Sequence, residues 1–211
     1  MIPVNILALR YLAAASGDLA KGLGAPEGYR CLGLLTTDCD DATYIALDEA
    51  TKAADVAGCY GRSFYAGATN ASTPNAGEVM GVLSGATPGA VRSGMEAAVA
   101  ALQRIGFEQV CGVPYLAHTV SSCGSYLAAL AKVPQGSALA YLIAPPLESM
   151  YAMDAALKAA DVKLCKLFEP PRETNFGGGL LSGSRSACAA ACAAFASAVA
   201  EVAGQPKGEF L

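Results

Sequence analysis

The segment TTDCDD carries Asp38, Asp40 and Asp41, the densest run of acids in the chain. Carboxylates this close could hold a divalent cation, but the spaced acids and closing glutamate of a calcium loop are missing. Two readings remain: a capped turn that leads into a helix at Ala42, or an acidic concavity that prefers a small ammonium compound. Cys188 and Cys192 stand at i and i+4 on an expected helix, where two thiolates could share a face. No histidine or second pair nearby completes a metal ligand set. His118, the single histidine, lies in PYLAHTVSS on a strand or strand end, without a serine or cysteine turn beside it that could present a nucleophile. GGGLLSGS lacks the lysine of a phosphate-binding loop, and its glycines precede a strand instead of a helix. We therefore expect no catalytic residue, no metal and no cofactor.

The elements that must carry these residues come from an internal repeat. KAADV occurs at Lys52 to Val56 and again at Lys158 to Val162, and around it LDEATKAADV and MDAALKAADV agree at seven of ten positions. LSGATPGAVRSGMEAAVAAL from Leu83 answers LSGSRSACAAACAAFASAVA from Leu181. RYLAAASGDLA near Tyr11 is faintly echoed by PYLAHTVSSCGSYLA near Tyr115. One unit is thus present twice, with a boundary near Gly106 and units at 1–106 and 107–211.

Each unit reads as strand, helix, strand, strand, helix. The first strand is CLGLLTTD or ALAYLIAP, a buried apolar run. The helix that follows has its apolar stripe at Leu47, Ala50, Thr51 and Ala54, or at Met153, Ala156, Leu157 and Ala160. VAGCYGRSFY or VKLCKLFE comes next, then a loop and a strand ending in LSG. A longer helix closes the unit, capped by Thr87 before Pro88 and in the second copy by Ser184. The class is α+β, two such units with helices on one side of a largely antiparallel sheet. The loop before the LSG strand differs most between copies, AGATNASTPNAGE against PPRETNFGGG, and is where they specialise.

With 54% hydrophobic residues, 15% charged and a net charge of -4, the chain has no basic run and no footprint for nucleic acid or an acidic membrane. ACAAACAAFASAVAEVAG is mostly alanine and interrupted by Ser197 and Glu201, so a packed helix is expected. The start, MIPVNILALRYLAAASGD, lacks a basic lead and makes a poor secretion signal. Its eight cysteines, with no CxxC pair, are expected to be reduced, small buried hydrophobes.

ALAYLIAPPLESMYAMDAALKAADVKL resembles the strand, helix and strand of bacterial microcompartment shell proteins, whose helix ends in a KAAN-like or KAAD-like lysine motif. LGLLTTDCDDATYIALDEATKAADV, YGRSFYAGA, AGEV, GSYL and ETNFGGGLLSGSRSACAAAC extend the resemblance, in order, to the tandem-domain subgroup of ethanolamine-utilisation compartments. The resemblance implies two circularly permuted, ferredoxin-like microcompartment domains and a homotrimer closing into a pseudohexamer. It implies further that such discs tile with other shell proteins into a facet in the bacterial cytoplasm. It makes Lys52 and Lys158 tile-edge lysines, and Asn175, Phe176, Gly177, Gly178 and Gly179 a pore loop, matched in the first copy by Ala66 to Glu78. It also places ethanolamine at a smaller pore beside Asp40, Glu78 and Phe107. An alternative is a small-molecule-binding regulatory trimer, since the α+β unit serves many sensors.

Overall fold

The computed structural model describes residues 1–64, 79–170 and 174–208, which form two compact units. The first comprises Pro3–Gly106 with Gly124–Leu127, and the second Met1–Ile2, Phe107–Cys123 and Ala128–Leu211.

The first unit runs β1 (Ile6–Leu12), α1 (Gly17–Gly22), β2 (Cys31–Thr37), α2 (Asp40–Ala53), β3 (Ala57–Ser63), β4 (Val79–Gly85) and α3 (Pro88–Leu102). Its strands are antiparallel in the order β1-β2-β4-β3. Gly33 and Gly81, on one face of the sheet, lie where a Cβ would meet Met95 and Val91 of α3, and Leu47 and Thr43 of α2. Both long helices therefore cover the same face. The opposite face holds Leu32 and Val82, against which Ala15, Leu23 and Ala25 pack from α1 and its flanks. The expectation of helices on one side thus applies to α2 and α3 but not to α1. Thr87 caps α3 by accepting from the Ala90 amide, with Pro88 in the first turn, as the sequence suggests.

The second unit runs β5 (Glu108–Val110), β6 (Val113–Val120), α4 (Ser125–Ala131, its first turn grouped with the first unit), β7 (Ala138–Ala144), α5 (Pro146–Ala159), β8 (Val162–Phe168), β9 (Gly177–Gly183) and α6 (Arg185–Gly204). The order is β5-β6-β7-β9-β8, again antiparallel. β5 and β6 join through Cys111 and Gly112, both at positive φ (49° and 83°), the geometry of a tight hairpin turn. β7 is buried along its whole length, as its unbroken apolar run requires. α6 turns Cys188, Ala191, Cys192 and Phe195 into the core. It is long and apolar enough to cross a membrane by composition, yet this face packs on protein. Ser184 caps α6 at the Ala187 amide.

The repeat is visible at single hydrogen bonds. β3 and β8 break register at one corresponding place, between Gly58 and Tyr60 and between Leu164 and Lys166, so that Cys59 and Cys165 are the inserted residues. The amide of Ala25 donates to the Ala20 carbonyl as that of Val133 does to Ala128, and Tyr29 to Pro26 as Ser137 to Pro134. The strands β1 and β6 and the short helices α1 and α4 lie in the segments whose sequence echo is faint.

NFGGG differs from the expected turn. Gly177, Gly178 and Gly179 are buried strand residues, paired with Ala144, Ile143 and Leu142 of β7. The reason is close backbone approach: a Cβ on Gly178, at φ +145°, would lie 1.9 Å from the Leu142 carbonyl oxygen, and one on Gly179 2.5 Å from that of Lys166. Of the five residues read as a loop, Asn175 and Phe176 precede the strand, with Asn175 at φ 61°, a conformation asparagine tolerates.

Candidate functional site

α2 presents a stripe of buried polar side chains, Asp40, Tyr44 and Asp48, spaced four residues apart and so stacked on one face. Asp40 is the first residue of the helix, two residues before the start expected at Ala42, and the cap position is Cys39, which makes no side-chain cap bond. There the amide dipoles favour a carboxylate. Asp40 is 3% exposed; one oxygen accepts from the Asp41 amide at 2.8 Å and the other from the Ser63 hydroxyl. Asp38 is occupied elsewhere, accepting from the Asn5 amide and side chain at 2.8 and 2.6 Å.

Below Asp40 lies Tyr44, whose phenol is pushed well above its usual range, first by burial and then by the nearby Asp40 and Tyr126, against an opposing hydrogen bond with Ser63. Tyr126 stacks on Tyr44 with ring centroids 6.2 Å apart. It lies on β3 over Gly58 and Gly61, where a Cβ would meet its ring or hydroxyl at 2.7 and 2.2 Å. Burial raises its phenol to about 12, with Arg62 opposing and Asp48 adding. Asp48 is fully buried and accepts from the Gly124 and Leu127 amides at 2.7 and 2.8 Å. Burial raises its carboxyl, while those amides and Lys52 pull the other way.

The Asp40 carboxylate is thus held at a helix start beside a hydroxyl, with both of its oxygens already accepting. Among the described residues no cluster of three histidine, cysteine or acidic side chains could hold a metal. Cys188 and Cys192 are buried core residues; burial lifts the Cys192 thiol to about 11, with Thr119 donating to it opposing the rise.

The other residues expected at the site divide between the units. Glu78, and with it the loop Ala66 to Glu78, lies outside the described residues. Phe107 belongs to the second unit, bridges Ile2, and packs its ring on Phe176 with centroids 5.6 Å apart. Two aromatic residues expected in different roles thus share one cluster. Lys52 pairs with Glu49 and, at 4.0 Å, with Asp48, leaving its side chain 27% exposed. Lys158 pairs with Asp154, and its side chain is 75% exposed. Sequence reasoning overlooked Ser63, Tyr44 and Tyr126. The four-residue spacing of Asp40 and Tyr44 was a legible signal; the approach of Tyr126 was not.

A family model described as the BMC domain matches residues 31–113. The bacterial microcompartment shell protein EutL of Clostridium perfringens is 53% identical over 215 residues, covering 99% of this chain and 98% of that protein. The chain belongs to the EutL family of bacterial microcompartment shell proteins. The EutL structure from Leptotrichia buccalis superposes with a TM-score of 0.94 at 55% identity, covering 98% of this chain and 97% of that one. EtuB from Clostridium kluyveri, 21% identical, shares the fold at a TM-score of 0.78 over 92% of this chain and 86% of its own. Against the EutL fold, the buried stripe of α2 and the paired lysines at its end and at the end of α5 are the features with chemistry to offer.

Proposed function

We propose that this chain is a shell tile of an ethanolamine-utilisation microcompartment, with the two copies at 1–106 and 107–211 closing as a homotrimer into a six-sided disc. Similarity to EutL over nearly the whole chain carries this reading. Duplication supports it physically, because fusing two copies lets alternate positions around a ring differ. The segments before β4 and β9 are where the copies diverge most, and they form the aperture of the tile. Asn175 and Phe176, ahead of the buried Gly177 to Gly179, line that opening in the second copy. Lys52 and Lys158 lie at the disc edge and meet neighbouring tiles. Asp40 receives the ammonium of ethanolamine at a smaller pore, where a carboxylate suits a cation. The tile encloses and admits; it transforms nothing.

Electron microscopy of the purified protein tests this. Ordered sheets of disc-shaped particles are the expected result. A protein that stays dispersed at every concentration, alone and with other shell proteins, overturns the tile reading.

A further inference from the structure

The two KAADV segments are identical in sequence, yet the residues before them set their lysines in different surroundings. At a spacing of 106 residues Asp48 answers Asp154, Glu49 answers Ala155, Thr51 answers Leu157 and Lys52 answers Lys158. In the first copy the lysine has two acids on its own helix, Glu49 and the buried Asp48, whose Oδ2 lies 4.0 Å from the ammonium. In the second copy an alanine takes the place of Glu49, and Asp154 is 63% exposed. The lysine side chains differ accordingly, 27% exposed for Lys52 against 75% for Lys158.

The aspartates of the two motifs differ in the same sense. Tyr29 donates its hydroxyl to Asp55 at 3.2 Å. The turns at Tyr29 and Ser137 correspond, since each amide donates to the carbonyl of a proline three residues earlier. A serine thus stands where the tyrosine does, and Asp161 is exposed. Both charges of the first motif are engaged by their own chain, and both charges of the second are at the surface.

The partner of Lys52 gives this difference its meaning. Asp48 is fully buried and accepts the Gly124 and Leu127 amides. A buried carboxylate depends on a cation close by, because removing one partner leaves the other charge uncompensated. Lys52 is that cation. Asp154 makes no such demand on Lys158: an exposed pair contributes little, so an acceptor on another surface can take the ammonium at small cost.

We infer that the two kinds of edge carry unequal loads. Lys158 is the lysine that binds the neighbouring disc, through a hydrogen-bond acceptor on that disc's edge, and Lys52 chiefly serves its own chain as the counter-charge of Asp48. Contacts between discs therefore run mainly through alternate edges. The inference rests on the tile reading above and says which lysine sustains it.

Methionine variants, which keep the apolar stem of lysine, separate the two roles in the whole chain. Electron microscopy reads the sheets, and hydrogen exchange reads the Gly124 and Leu127 amides. Lys158→Met should lose extended sheets and leave both amides exchanging as before. Lys52→Met should keep most of the sheet and speed exchange at both amides severalfold, with Lys52→Arg restoring the slow rate. Equal loss of sheets in the two methionine variants, or unchanged exchange in Lys52→Met, overturns the inference. Sheets that survive Lys158→Met also overturn it and leave the tile reading standing. An unaltered chain that forms no sheets overturns both.

Discussion

The Asp48 carboxylate on α2 accepts the Gly124 amide at 2.7 Å and the Leu127 amide at 2.8 Å, residues 76 and 79 positions away in sequence. The Ser125 amide joins them by donating to Thr51 at 3.1 Å. One turn of α2 thus supplies the partners that the start of α4 lacks within itself. Replacing Asp48 with Ala leaves two buried amides without acceptors and should cost on the order of 2–4 kcal/mol in denaturant unfolding. Faster hydrogen exchange at the Gly124 and Leu127 amides should accompany the loss. Unchanged exchange at both would show that the carboxylate does not hold them.

Tyr126 sets an alkaline limit on stability. Its phenol titrates near 12 in the folded chain against a reference value of 10.0, chiefly through burial. The folded form thus keeps a proton that the unfolded form has released. This contribution is complete below the reference value and is lost as pH rises through the folded one. Tyr126→Phe should flatten the fall in stability over that window, an effect on the order of 2 kcal/mol. An identical pH profile for both chains would contradict the burial.

Gly178 tolerates no side chain. Gly178→Ala should lower stability by about 2 kcal/mol or more, through strain and the clash with Leu142. Gly89→Ala is the control, because nothing lies within 4 Å of its Cβ and it sits in the first turn of α3. That change should be neutral or add a few tenths of a kcal/mol. Deleting Gly177 to Gly179 removes ladder pairs with β7, so it should unfold the second unit instead of merely reshaping an aperture.

Asp40→Ala should weaken ethanolamine binding by roughly tenfold or more in calorimetry, since an ammonium loses a charged acceptor. Affinity equal to that of the unaltered chain would remove Asp40 from the ligand site.

Lys52→Ala together with Lys158→Ala should leave a folded, self-associated protein that no longer forms extended sheets under the electron microscope. Sheets of normal extent would withdraw the edge role from both lysines.

The sequence made the repeat legible because its strongest segments are those under two demands at once. KAADV ends a helix and begins an edge strand, and the LSG strands enter capped helices at Thr87 and Ser184; each is visible in type and spacing. α1, α4 and the strands before them were less visible, since short helices held by backbone contacts leave little periodicity. The glycines of NFGGG misled for a physical reason. A glycine run signals a turn when it supplies positive φ, but here it admits the neighbouring strands' carbonyls, and only the packed sheet reveals that demand. Of the site around Asp40, the helical stripe could be read from spacing. Its cover, Tyr126, arrives from 82 residues beyond Tyr44, and no local pattern announces it.

The grouping of Gly124–Leu127 with the first unit bears on how the chain folds as it is made. Synthesis proceeds from the N-terminus, and domains generally fold in that order. Here the first unit cannot satisfy Asp48 when residue 106 emerges; it waits until Leu127 has left the ribosome, by which time β6 of the following unit is already outside. Cutting the gene at the apparent junction would leave one fragment with a buried carboxylate lacking its donors. The fusion therefore fixes more than stoichiometry: it makes the completion of the first copy depend on the translation of the second.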